Sequence, residues 1–281
     1  DTVPTLTAVS IDSDNAETNA AAETATNGDT VTLSFTTSET ASAGAGTPAC
    51  AFTLNSVAAT NADAVTNPGA GNNWVCTFDL ADADANAAVV FSIAFSDVGG
   101  NDGVAVTSTT DSTSVTLDDT VPTLSSVSID SNNGETSATA ETATNGDVVT
   151  LTFVTSETAS AGAGTPACAF TLGGSAATNA DTVANPGSST TWTCTFTLAD
   201  ADANAAVAFS ISFDDAAGNA GVAVIAVSDG SSVTLDDTVP TLTTVTIDSD
   251  NGETSANAET ATNGDVVTLS FTTSETASAG A

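Results

Sequence analysis

The chain predicts an all-β fold built as a tandem array of antiparallel β-sandwiches. Three observations carry this: a fixed repeat, apolar residues that alternate with a period of two, and turn-rich segments between them. The repeat has no insertion or deletion. Cys50 recurs as Cys168, Trp74 as Trp192, and Pro4 as Pro122 and Pro240, a constant offset of 118 residues. A period of domain length means near-copies of one folding unit in series. The copies run 1–118 and 119–236, with a partial third over 237–281 that stops at the counterpart of Ala45 and Ala163, so the sequence reads as a window on a longer array.

Within the first copy, Thr30–Thr36 places Val31, Leu33 and Phe35 on one face and Thr and Ser on the other, the pattern of a half-buried strand. Cys50, Phe52 and Leu54 share a face in the same way. So do Trp74, Cys76, Phe78 and Leu80, and Val89, Phe91, Ile93 and Phe95. Further strands are predicted near Leu6–Ile11, Val104–Thr110 and Ser114–Leu117. Asn27-Gly28-Asp29, Asn67-Pro68-Gly69 and Gly99-Gly100-Asn101-Asp102-Gly103 supply the positive or fixed φ that turns need. Leu80–Ala88 is too short and too rich in Asp for a helix and reads as a loop. About seven short strands per copy with no helical periodicity describe an antiparallel sandwich.

Composition narrows the chemistry. The chain has 35 Asp and Glu and no Lys, Arg or His, a net charge of −35. Side-chain salt bridges within it are therefore impossible, and crowded carboxylates need counter-charge from solution, a bound divalent cation being the direct remedy. Without His, Lys, Arg or Tyr the usual general bases, Schiff-base amines and anion clamps are missing. Paired carboxylates could support glycoside hydrolysis, but each carboxylate sits in a repeated loop and no copy is singled out, so the chain is expected not to be an enzyme. Nucleic acid and anionic membranes are excluded as partners for want of cationic side chains. No run of about 18 apolar residues and no basic-then-apolar leader occurs within 1–281.

The four cysteines fall two per copy, Cys50 with Cys76 and Cys168 with Cys194, each pair 26 residues apart, with no CxxC spacing for zinc or redox chemistry. Their even distribution and inward-facing positions predict one disulfide per copy and an extracellular, oxidising setting, with two buried free thiols as the alternative.

Three elements together resemble bacterial immunoglobulin-like repeats. These are Asp119-Thr120-Val121-Pro122-Thr123 at the opening of a copy, Asn145–Phe153 followed by Ser156-Glu157, and Phe213-Asp214-Asp215-Ala216-Ala217-Gly218-Asn219 near its end. Such repeats fill the extender regions of giant surface adhesins and other extracellular filaments or surface layers. The resemblance implies an Ig-like Greek-key sandwich, exported to the cell surface and rigidified by calcium at its joints.

On that strand order the acids sort to two poles. Asp119, Glu157, Asp214, Asp215 and Asn219 gather at the amino-terminal pole of the second copy. Asp12, Asp14, Asn15 and Glu17, with Asp82, Asp84 and Asn86, gather at the carboxyl-terminal pole of the first, and Asp118-Asp119 joins the two. Hard cations take six to eight oxygens from such groups. Calcium is expected near Asp118, Asp119, Glu157 and Asp215, with Asn219 as a carbonyl donor, and at an equivalent site near Asp236, Asp237 and Glu275. The layout is similar to the calcium-clamped joints of cadherin-like domains. Asp12–Glu17 resembles half an EF-hand loop without its Gly and closing Glu, leaving a local cation held by Asp12 and Asp14, or by Asp82 and Asp84, as a second expectation.

Thr-rich outer faces suit solvent-facing strands, with a hydroxyl array for ice or sugar, or O-linked glycans, as the alternative. No Asn-x-Ser/Thr sequon occurs. The functional expectation is a calcium-stabilised, disulfide-stapled shaft or filament whose partners are neighbouring copies, joined end to end or by strand addition. The alternative is an adhesive module that recognises carbohydrate, ice or a host surface.

Overall fold

A computed structural model describes residues 2–15, 21–39, 47–61, 64–67, 71–134, 139–157, 165–179, 182–185, 190–252 and 259–275. Glu17 and Pro68-Gly69, named above, lie outside the described residues. The first copy contains β1 (Leu6–Ser13), β2 (Ala22–Ala25), β3 (Thr30–Thr37), β4 (Ala49–Leu54), β5 (Val57–Ala58), β6 (Ala64–Thr66), β7 (Asn73–Asp79), β8 (Val89–Ala94) and β9 (Ser114–Leu117). The second repeats it as β10 (Leu124–Ser131), β11 (Glu141–Ala143), β12 (Val148–Thr155), β13 (Ala167–Leu172), β14 (Ser175–Ala176), β15 (Thr182–Ala184), β16 (Thr191–Thr197), β17 (Val207–Ser212) and β18 (Val233–Leu235). The third contributes β19 (Leu242–Ser249) and β20 (Val267–Thr273).

One layer of the first copy is the antiparallel sheet β1-β3-β7-β6. The other combines β5-β4-β8 with the parallel pair β2-β9, which joins β8 through the Ala88↔Thr116 bridge. This strand order is that of an immunoglobulin-like sandwich. Alternation decides what fills it. Val31, Leu33 and Phe35 from one layer meet Phe52, Leu54, Phe91 and Ile93 from the other, all buried, while the intervening Thr and Ser point outward. The second copy repeats this core except that Val207 is partly buried where Val89 is buried, with Phe153, Phe170 and Ile211 among its most deeply buried side chains. Each disulfide ties the layers together: Cys50 on β4 bonds Cys76 on β7, and Cys168 on β13 bonds Cys194 on β16, with Cα atoms 6.4 Å apart in both.

One strand expectation needs correction. Residues 104–110 form no strand. Val106 exchanges two hydrogen bonds with Ile93, and the chain then changes partners: the Thr110 N–H donates to the Val9 carbonyl and Thr113 Oγ1 accepts from the Ile11 N–H. The segment thus leaves one layer to cover the outer edge of β1, which would otherwise present open backbone groups to a foreign strand. Strands β2, β5 and β6 were not anticipated, because runs of two to four residues are too short to show alternation.

The third copy keeps the β1–β3 register and its bulge, down to the positive φ of Thr244, which matches Ala8 and Ser126. Ile247 is 72% exposed where Ile11 is 3%, because the layer that covers Ile11 has no counterpart among the described residues.

Candidate metal centre

The joint between the first two copies is assembled from three places in the chain. Asp118 follows β9 directly, and its backbone N–H donates to the Ala25 carbonyl at 2.9 Å, so the linker leaves the first copy with no slack. The loop before β8 holds the next two residues: Asn86 Oδ1 accepts from the Asp119 N–H and Asn86 Nδ2 donates to Thr120 Oγ1. Glu157 stands just beyond β12, where Ser156 and Thr123 exchange two hydrogen bonds that fasten this end of the sheet to the linker.

Asp215 comes from the turn after β17. Its Oδ1 accepts from the Asn219 N–H at 2.8 Å, its Oδ2 from Asn219 Nδ2 at 2.8 Å, and its carbonyl from the Gly218 N–H. Asp215 as a whole is 1% exposed. Across the joint, Asn219 Nδ2 also donates to the Asp118 carbonyl at 2.8 Å, and Asn15 Nδ2 donates to the Ala217 carbonyl at 3.2 Å.

These constraints bring carboxylate oxygens of Asp118, Glu157 and Asp215 within 4.8 Å of one another. Burial pushes the Glu157 carboxyl above the usual glutamate range, and the neighbouring charges of Asp215 and Asp118 push it further. Asp119 is raised by burial first, then by the charge of Asp82 and a carboxyl–carboxylate hydrogen bond with it, partly offset by the Asn27 N–H. The joint therefore contains two crowded acid groups, in a chain without a cationic side chain to neutralise either.

The remaining predicted residues fall differently. Asn219 turns its amide nitrogen, not its oxygen, toward both Asp118 and Asp215, so in this arrangement it positions acids rather than offering them a fellow ligand. Asp14 Oδ1 accepts from the Thr30 N–H, and Asp84 accepts from Thr60 and Ala81 backbone N–H groups, so each fastens a loop. Asp12 lies on the solvent face of β1. At the second joint, Asp236 donates its N–H to the Ala143 carbonyl and Asp237 to Asn204 Oδ1, repeating the first, and Glu275 Oε1 is buried without a hydrogen-bond partner among the described residues. Sequence reasoning placed Asn15 at this pole and missed Ser156 and Thr123 as joint contacts, for which the recurrence of Thr5/Ser38 as Thr123/Ser156 was the available signal.

No protein-family model matches the chain, and no curated protein matches it. Among solved structures it is similar to an I-band fragment of titin, at 8% identity over 95% of this chain and 87% of that one, with a TM-score of 0.41. It is also similar to two titin domains in complex with telethonin, at 12% identity over 84% and 97% with a TM-score of 0.27. A third is the ectodomain of mouse nectin-like molecule 4, at 14% identity over 83% and 66% with a TM-score of 0.28. The assignment of the fold rests on the strand order of this chain itself.

Proposed function

We propose that this protein is a structural, non-enzymatic extracellular shaft whose Ig-like copies are stiffened at their joints by calcium. The observation that carries the reading is the convergence of Asp118, Glu157 and Asp215 from a linker, a strand end and a turn, with oxygens within 4.8 Å, in a chain that has no cationic side chain. An all-oxygen, carboxylate-rich donor set favours a hard cation, and calcium accepts the irregular geometry and high coordination number that a joint between two bodies provides. Bound there, the ion offsets the burial and the repulsion that together raise Glu157, and ties the linker to both neighbours. Asp119 and Asp82 hold a second pair of acids beside it, and Asp236, Asp237 and Glu275 are the corresponding set at the next joint. The disulfides belong to an oxidising compartment, and the cell surface is where a shaft of this kind would serve.

Two features favour a spacer over a receptor. Every Phe and Trp of the first two copies is buried in a core, leaving no aromatic platform for sugar. The outer edge of β1 is occupied by Thr110 and Thr113, and that of β10 by Ser228 and Ser231, which favours end-to-end growth over strand addition.

The test is thermal unfolding of the whole chain in millimolar calcium and in chelator at matched ionic strength. Calcium at a hundredfold excess over Kd is expected to add about 2.7 kcal/mol per occupied joint, and Glu157→Gln to remove the increment of the first joint. An identical melt in both conditions overturns the reading.

A further inference from the structure

Five Asn-Gly pairs occur in the chain: Asn27-Gly28, Asn133-Gly134, Asn145-Gly146, Asn251-Gly252 and Asn263-Gly264. At such a pair the glycine nitrogen, unshielded by a Cβ, can attack the asparagine side-chain carbonyl carbon. A nitrogen–carbon bond forms, the bond to the amide nitrogen breaks, and ammonia leaves with the proton the glycine nitrogen gave up. The resulting succinimide is opened by water at either carbonyl, yielding aspartate or isoaspartate. The attacking nitrogen must first be free, so a glycine N–H engaged in an ordered hydrogen bond is withheld from the reaction until the turn opens.

The fold divides the five pairs. The Gly28 N–H donates to the Leu80 carbonyl at 2.9 Å and the Gly146 N–H to the Leu198 carbonyl at 3.0 Å. Asp29 and Asp147 clamp the same turns through the backbone and hydroxyl of Thr26 and Thr144. The N–H groups of Gly134, Gly252 and Gly264 make no hydrogen bond with any described residue. We propose that Asn133 is a site of spontaneous covalent ageing, converted to aspartate and isoaspartate through a succinimide with Gly134, while the sandwich shields Asn27 and Asn145.

The position gives the modification a consequence. Asn133 Nδ2 donates to Asp147 Oδ2 at 3.1 Å, and the counterpart amide of the first copy, Asn15, holds Asp29 while reaching the Ala217 carbonyl of the next copy. Conversion removes the donor and sets a new carboxylate against Asp147, with no cationic side chain to relieve it. Asn15 is followed by Ala16 rather than glycine, so the equivalent loop of the first copy lacks the site. Ageing would act on the copies unequally.

The chain contains its own control, because Asn145 sits in the same copy as Asn133 and its glycine makes the hydrogen bond that Gly134 lacks. The folded chain is incubated in mildly alkaline buffer, cleaved with an acid-directed protease, and the converted asparagines are located by mass spectrometry, with isoaspartate scored by isoaspartyl methyltransferase. Asn133 is expected to convert about tenfold or more faster than Asn27 and Asn145, the factor that breaking one ordered turn hydrogen bond implies. In denaturant all five should react alike, and Gly134→Ala should suppress conversion at Asn133 alone. An Asn133 no faster than Asn145 in the folded chain overturns the proposal.

Discussion

The side-chain amide of Asn219 donates to the backbone carbonyl of Asp118 at 2.8 Å, a hydrogen bond that spans 101 residues and the boundary between two copies. The same nitrogen holds Asp215, so one side chain sets two of the three acids at the joint. Asn101 makes the same two bonds to Asp97 within its own turn. The pair therefore separates the joint from the loop. Asn219→Ala is expected to destabilise by more than Asn101→Ala, by about 1 kcal/mol, the net worth of the bond across the joint. Urea unfolding of the two variants measures the difference, and equal losses would mean that Asn219 serves only its own turn.

A permanent cation should replace the ion. Glu157→Lys places an ammonium between Asp118 and Asp215, turning a repelled carboxylate into an attracted partner. In chelator this variant should melt above the parent chain by roughly 2–4 °C, which corresponds to about 1 kcal/mol for a protein of this size. In calcium the order should reverse, since the variant has lost the site.

How far these relationships could be read from the chain depended on the length scale of the signal. Alternation over six to eight residues located β3, β4, β7 and β8 because each buries a full face, as Val31, Leu33 and Phe35 do. Residues 104–110 misled because Val104 and Val106 carry the same pattern although only Val106 pairs. The convergence of Glu157 and Asp215 followed from sorting loops by pole. The tasks of Asp14 and Asp84 did not, since a short acid in a turn fastens backbone N–H groups as readily as it binds an ion. Nor could the orientation of Asn219 be read, because an amide presents a donor and an acceptor on one stem.

Acid should stabilise the calcium-free joint before it unfolds the copies. Glu157 and Asp119 have folded values above their ordinary 4.5 and 3.8, so the folded chain binds these protons more readily than the unfolded one, and stability rises as pH falls from neutrality through the raised values. Asp97, held low by Asn101, and Asp111 and Asp229, held low by Thr113 and Ser231, act oppositely. Their contribution is present above 3.8 and is lost as pH falls through the depressed values. In chelator the stability maximum should therefore lie at about pH 4 to 5, and calcium should flatten the rise on its neutral side. A maximum at neutral pH in chelator would mean that the joint acids do not repel.

Gly103 and Gly221 are required by ring packing. A Cβ at Gly103 would sit 2.4 Å from the Phe95 ring, and one at Gly221 2.3 Å from the Phe213 ring, contacts that neither a buried ring nor the adjacent backbone can relieve without moving. Each glycine N–H also donates to the carbonyl of the same phenylalanine, at 2.9 Å, so the backbone cannot retreat without losing that bond. Gly103→Ala and Gly221→Ala should each cost about 1–3 kcal/mol through overpacking, whereas Gly134→Ala, with open space around it, should cost little. Because Phe213 precedes Asp215 by two residues, Gly221→Ala should also weaken calcium binding. Gly103→Ala, in the turn that holds Asp97 rather than Asp215, should destabilise without changing calcium affinity at the joint of Asp118, Glu157 and Asp215, a contrast that isothermal titration on the two variants would resolve.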